Sequence, residues 1–452
     1  MGREKWTEAP ARDADAPFSS PSARIWRLAY AATAIISTCS AVTACGGEVP
    51  DSYFGSFETV AGAPSYPADA PTMQSLDGEQ SFNGLTAIGP VVDLGSETGL
   101  WRVDTTTGTT LSAQPLEVLK SDAADPDTTG KVSWLGIHEG RTLALAEQGL
   151  FESYSQSFIV VSTLTGIIEA TEGELSGLHV ASDGDFWFGE GSSITHAEKQ
   201  GSVYAMTSFQ VEGETSAATV LLDASSEAGE ILLAAFDDHL YEIDLATNTA
   251  YPVPIETGTI FAMAPGLHDT SYIATERGLF ERWPSHCYKH YTLSDGASSA
   301  AFALSYSPKD GTFVLLDTGI VLARPDTELQ GMASREQLGF AKIAVGAALA
   351  NNGAGTVWSM SETSVRGADI GEATSFAADV KPVLVTYCSP CHAEGANNAP
   401  VVNFSDYQVS STLAGDIIQR IASANMPPAG EPAPSKDQFQ LIQAWLIGGL
   451  AE

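Results

Sequence analysis

The sequence predicts a multi-domain protein: an all-β propeller of about seven blades, followed by a small all-α domain. Three observations predict it. A strand–turn–strand unit recurs through residues 82–370 at a mean spacing of about 43 residues, within the range of one four-stranded blade. Almost no helical periodicity interrupts those units, whereas helical patterns return over residues 374–452. The composition agrees, because 42 glycines, 44% hydrophobic residues and only 17% charged residues suit a turn-rich β architecture with sizeable cores.

Each unit ends in a short triplet. These are Gly99-Leu100-Trp101, Gly149-Leu150-Phe151, Asp185-Phe186-Trp187, His239-Leu240-Tyr241, Gly278-Leu279-Phe280, Gly319-Ile320-Val321 and Thr356-Val357-Trp358. Two units agree further: Trp101-Arg102-Val103-Asp104 precedes Thr107-Gly108-Thr109, and Tyr241-Glu242-Ile243-Asp244 precedes Thr247-Asn248-Thr249. Gly108 and Asn248 both tolerate the positive φ of a tight hairpin turn. The chain resembles propellers whose blades carry Gly-Leu-Trp or Gly-Leu-Phe triplets, a class shared by sensors, enzymes and binding scaffolds. Intervals between triplets run from 36 to 54 residues, which leaves six or eight blades open, with an unclosed sandwich as the alternative.

The N-terminal 45 residues read as a targeting segment. A polar lead ends in Arg24 and Arg27, an apolar run spans Leu28 to Ala44, and small residues close it. The run is short and rich in Ala, Ser and Thr for a membrane span. Val42-Thr43-Ala44-Cys45-Gly46 resembles a bacterial lipobox, which implies lipidation of Cys45; a plain signal peptide is the alternative. Residues 46–81, rich in Pro, Ala, Ser, Gly and Asp, read as a flexible tether. With Cys39 and Cys45 in the leader and Cys388 and Cys391 forming a motif pair, Cys287 is expected to stand alone.

The chemistry concentrates at the C-terminus. Cys388-Ser389-Pro390-Cys391-His392 is CxxCH, the attachment pattern for a c-type haem. Two thiols three positions apart can each add to a porphyrin vinyl group, and the adjacent histidine is then aimed at the iron. A thioredoxin-like pair would need a βαβ setting, and a zinc site would need further Cys or His, yet none follows His392. Met426 is the one methionine after the motif and is expected to be the opposite iron ligand. Pro427 and Pro428 follow it, placing it on a stiff extended loop.

With these residues in hand, 374–452 resembles a class I cytochrome c, of the short haem-module type fused to larger secreted proteins. The matching features are Val380-Lys381-Pro382-Val383-Leu384, CxxCH, Met426-Pro427-Pro428, and a last helix bearing Trp445 with Gly448-Gly449. The resemblance implies one covalent haem c held by Cys388 and Cys391, with His392 and Met426 on the iron. It also implies a proline carbonyl that accepts a hydrogen bond from the ligating histidine, for which Pro400 is the candidate. Ser435 with Gln438 forms a capping-box pattern, and Phe439, Ile442, Trp445 and Leu446 share one helical face, the pattern of core packing. His286-Cys287-Tyr288-Lys289-His290 lacks haem spacing and is read as structural.

The formal charge of −35 excludes a general nucleic-acid binder or a binder of anionic membranes. Residues 374–452 carry three basic and seven acidic groups, and the leader is nearly balanced, so about −32 falls on the tether and propeller. The expected function is extracytoplasmic electron transfer by a lipid-anchored protein, with the propeller as a scaffold for a ligand or for a redox partner protein of basic character. The alternative is a propeller that is itself a catalytic oxidoreductase module passing electrons to the haem. An electron carrier is favoured over a stand-alone enzyme, since the repeats contain no cofactor constellation.

Overall fold

Glycine begins many of the blade strands because the backbone there lies outside the region open to side chains. In the computed structural model, Gly99, Gly149, Gly278 and Gly319 each open a third strand with φ between 126° and 142°. At Gly319 a Cβ would also lie 2.2 Å from the Ala333 carbonyl oxygen. The model describes residues 53–452 except 78–79, 106–108, 120–127, 139–140, 155–156, 161–174, 182–183, 201–202, 293–299, 326, 393–400, 424 and 429.

Seven sheets form among the described residues, each with at least four strands. Their innermost strands are Phe82–Ile88, Val132–His138, Ser176–Val180, Val220–Ser226, Ile260–Pro265, Ala301–Ser307 and Ala348–Asn351. Each neighbours the next, and the seventh returns to the first, so the ring is a closed seven-bladed propeller. Second strands such as Gly229–Phe236 and Gly311–Leu316 are buried along almost their whole length. They run apolar instead of alternating because a blade packs against neighbours on both faces.

The triplets explain their own irregular spacing. Five open a third strand, but Phe186–Glu190 and Ala354–Ser361, which hold the other two, are second strands. The equivalent third-strand positions are Thr195 and Arg366, polar residues that do not match the pattern. Taking Thr195 in place of Trp187 changes intervals of 36 and 54 to 44 and 46.

The ring closes with a strand from the N-terminal side. Met73–Asp77 is the outer strand of blade seven and pairs antiparallel with Ser364–Ala373, from Met73 opposite Ala368 to Asp77 opposite Ser364. Arg366 fastens it, donating to the Leu76 carbonyl at 3.3 Å and to Asp77 Oδ1 at 2.7 Å. Phe57–Ala61 adds a further, parallel strand to blade five beside Tyr288–Thr292. The expectation of a tether over 46–81 is therefore corrected for these residues: backbone groups left open on two blade edges recruit them as strands. The propeller's last strand likewise runs to Ala373, past 370. Cys287 is disulfide-bonded, which corrects the expectation that it stands alone. Cys388 and Cys391 are free.

A helical module follows after two linking residues. A π-turn, Phe376–Val380, leads into α1 (Lys381–Tyr387), α2 (Ser389–His392), α3 (Tyr407–Thr412), α4 (Ala414–Ala422) and α5 (Lys436–Ile447). Phe376, Val380, Leu384, Ile417, Ile442 and Trp445 share its core. The expected capping box is present, since Ser435 Oγ accepts from Gln438 N and the Gln438 side chain accepts from Ser435 N. Trp445 is fully buried and donates from Nε1 to the Ala451 carbonyl at 2.8 Å. Phe376 N also donates to Ala451 O, which ties the module's first and last turns together.

The module sits on the propeller face that carries the turns between first and second strands. Gly448 belongs to this contact: a Cβ there would lie 2.6 Å from the Gly353 carbonyl oxygen in the blade-seven turn. Lys309 reaches from blade six to the module, with Nζ 3.3 Å from Asp379 Oδ2. Residues 47–452 form one compact unit.

Candidate functional site

Pro382 lies in the first turn of α1, where its missing N–H costs no hydrogen bond. That helix ends at Cys388, whose N–H bonds the Leu384 carbonyl at 2.9 Å. The next turn folds back on the Cys388 carbonyl, which accepts from Cys391 N at 3.3 Å and His392 N at 3.2 Å. The chain thus brings Cys388, Cys391 and His392 onto one tight helical turn, with the cysteines three apart on the same side. Both thiols are free and partly exposed. The His392 ring meets Phe404 edge to face at 5.3 Å, and its carbonyl accepts from Val402 N at 3.0 Å.

Burial, followed by the neighbouring Cys391, pushes the Cys388 thiol up to about 11. It is protonated at neutral pH, opposite to the lowered pKa on which thioredoxin-type exchange relies. Among the described residues no three or more His, Cys, Asp or Glu side chains gather to hold a metal ion. The apolar wall beside Cys388 is incomplete: Tyr387, Val402, Leu413, Ile421 and Ala422 are only partly buried. Val385 is 40% exposed and Val401 66%. Free thiols beside an open apolar wall are what a covalently held macrocycle would fit.

Met426 follows α4 on a loop, half-buried, with its N–H bonded to the Arg420 carbonyl at 3.1 Å. Helix α4 and the Cys388 turn border one apolar core. Pro400 and Cys45 lie outside the described residues. The motif around Cys287 joins blades four and five. His286 Nδ1 and the Tyr288 hydroxyl bind the carboxylate of Glu242, and His290 stacks on Phe280 with centroids 4.1 Å apart.

A second site was not read from the sequence. Between the propeller funnel and the module lies a cavity of about 780 Å³. On the propeller side it meets the ends of inner strands, including His179 on blade three, Asp223 on blade four and Tyr306 on blade six. From above, α5 contributes Lys436, Gln440, Gln443 and Ile447. These follow at i, i+4, i+7 and i+11, a second face of the helix whose other face carries Phe439, Ile442 and Trp445 into the module core. That spacing is the signal that could have revealed the site. His179 Nε2 lies 2.5 Å from Asp223 Oδ1, and Lys436 Nζ lies 4.0 Å from Asp223 Oδ2. Burial alone would raise the Asp223 carboxyl, but the hydrogen bond and charge of His179, with Lys436, hold it down at about 2.

No protein-family model matches the chain, and no curated protein matches it. Among solved structures it is similar to virginiamycin B lyase from Staphylococcus aureus, at 11% identity, covering 66% of this chain and 98% of that one, with a TM-score of 0.43. It is similar to the extracellular domain of a hybrid two-component system from B. thetaiotaomicron, at 10% identity, covering 68% and 44%, with a TM-score of 0.49. The computationally designed Ika8 protein gives 15% identity, 66% and 99% coverage, and a TM-score of 0.42. These likenesses concern the propeller fold alone. The helical module stands on its own residues.

Proposed function

We propose that this protein is an extracytoplasmic electron carrier whose helical module holds one covalently attached c-type haem, with the propeller as a partner- or ligand-binding scaffold. The observation that carries the reading is the pair of free, half-exposed thiols of Cys388 and Cys391 on one turn with His392, beside partly buried apolar side chains of the module core. When bound, a haem supplies a one-electron redox centre. Cys388 and Cys391 would hold it by thioether bonds, and His392 and Met426 would ligate its iron. The Pro400 carbonyl would accept a hydrogen bond from His392, fixing the ring's orientation. Ligation by a histidine and a methionine would favour a raised potential and suit electron transfer over oxygen chemistry.

In this reading lipidated Cys45 anchors the protein to a bacterial membrane, facing the periplasm or exterior. The second reading, a catalytic oxidoreductase propeller, draws its support from the funnel cavity under α5.

The test is a redox titration of protein exported with its haem-attachment machinery, followed by visible absorption. The account expects one reversible one-electron transition per chain. No visible redox transition, or more than one, counts against it.

A further inference from the structure

The funnel cavity holds more hydrogen-bond donors than its own acceptors use. Asp223, the acidic group that lines it, already has both carboxylate oxygens engaged, Oδ1 with His179 and Oδ2 facing Lys436. Lys436 meets Asp223 only at 4.0 Å and keeps ammonium donors to spare. Arg141 uses Nη1 for Glu152 at 2.9 Å, leaving the rest of its fork. The Gln440 carbonyl faces the Tyr306 hydroxyl at 3.2 Å, so its NH₂ remains available. Among the described residues the Gln443 side-chain amide has no protein hydrogen bond. Among the described lining residues, Lys436 and Arg141 are the formally cationic groups and Asp223 the formally anionic one, in a chain of net charge −35. Leu85, Leu135, Leu222 and Ile447 supply apolar wall between these polar groups.

A volume of about 780 Å³ falls within the range of sites that enclose small organic ligands. We propose that the cavity between the propeller funnel and α5 binds a small organic monocarboxylate, with the carboxylate received by Lys436 and the glutamine amides of α5 and the apolar body held in the funnel. A cation would face Lys436 with no unengaged carboxylate among the described lining residues to receive it. The inference deepens the ligand-binding half of the proposed function and does not depend on the haem.

The test uses full-length purified protein and calorimetric titration with matched probes. These are hexanoate, hexanamide and hexylamine, then benzoate, benzamide and benzylamine. Carboxylates should bind at least tenfold more tightly than the matched amides and amines. Lys436→Gln should weaken carboxylate binding at least tenfold, Lys436→Arg should restore most of it, and Gln443→Leu should give an intermediate loss. The thermal midpoint of each variant, compared with the wild type, confirms that it is folded. The visible absorption of the same samples reports the haem module separately, so failure of one reading is distinguishable from failure of the other. Absence of carboxylate binding, equal binding of the amides, or binding indifferent to both Lys436→Gln and Gln443→Leu overturns the proposal.

Discussion

Replacing Glu242 with glutamine removes one negative charge from a group that water does not reach. Glu242 and Arg282 both have side chains of 0% exposure, on neighbouring blades four and five. Glu242 Oε1 accepts from Arg282 Nε at 2.8 Å and from the Tyr288 hydroxyl at 2.6 Å, and Oε2 meets His286 Nδ1. Arg282 also donates to the Ser225 carbonyl at 2.8 Å, while its Nη2 has no partner among the described residues. Glu242→Gln keeps the shape but leaves the guanidinium as an uncompensated buried charge, a loss of about 3–5 kcal/mol. Burial would raise the Glu242 carboxyl, but His286 and Arg282 hold it at about 2. A carboxyl depressed in the folded state contributes stability above its ordinary range and loses it as pH falls through its folded value. The gap between wild type and Glu242→Gln should therefore be full at pH 7 and should shrink steadily between pH 4.5 and pH 2. Urea unfolding over that pH range measures it. A difference below about 1 kcal/mol at pH 7 refutes the reasoning, because a buried pair broken on one side cannot be that cheap.

Met426→Ala should leave the haem covalently attached while opening a coordination position, so the variant should bind carbon monoxide readily and show a lower potential. A wild type that already binds carbon monoxide quickly would count against Met426 as a ligand. Cys45→Ala should release the protein from membranes if Cys45 carries lipid. Haem reduction of the full-length protein by a basic donor should slow steeply as salt rises, given the charge of about −32 on the tether and propeller. A rate insensitive to salt removes any steering role from that field.

Much of the fold was legible because hairpin geometry demands particular residues. Gly99, Gly149, Gly278 and Gly319 stand where φ is positive, and Asn248 has φ of 53°. The pattern slipped in blades three and seven, where the aromatic filling the layer comes from a second strand. Trp187 stacks on His196 with centroids 3.9 Å apart, and Trp358 lies over Gly367, whose missing side chain leaves room for the indole. The closing strand Met73–Asp77 was hidden by its company, since a composition rich in Pro, Ala and Ser masks five residues whose antiparallel partner strand lies almost 300 positions away. The Cys388–His392 turn was legible because its residues lie within five consecutive positions, so local helical geometry alone brings them together. The funnel site was not, because His179, Asp223 and Lys436 meet only when blades and module assemble.

The central claim is that the Cys388 turn carries a covalent haem, and covalency is the property to measure. Full-length protein, exported with the attachment machinery, is denatured and stripped with acidified organic solvent, and the retained haem is quantified by its alkaline pyridine spectrum. Peptide mass then locates it. The account predicts one haem per chain, on the peptide containing Cys388 and Cys391, and none after Cys388→Ala with Cys391→Ala. Protein that loses its colour to the solvent, or wild-type peptides that carry two unmodified thiols, would contradict the account.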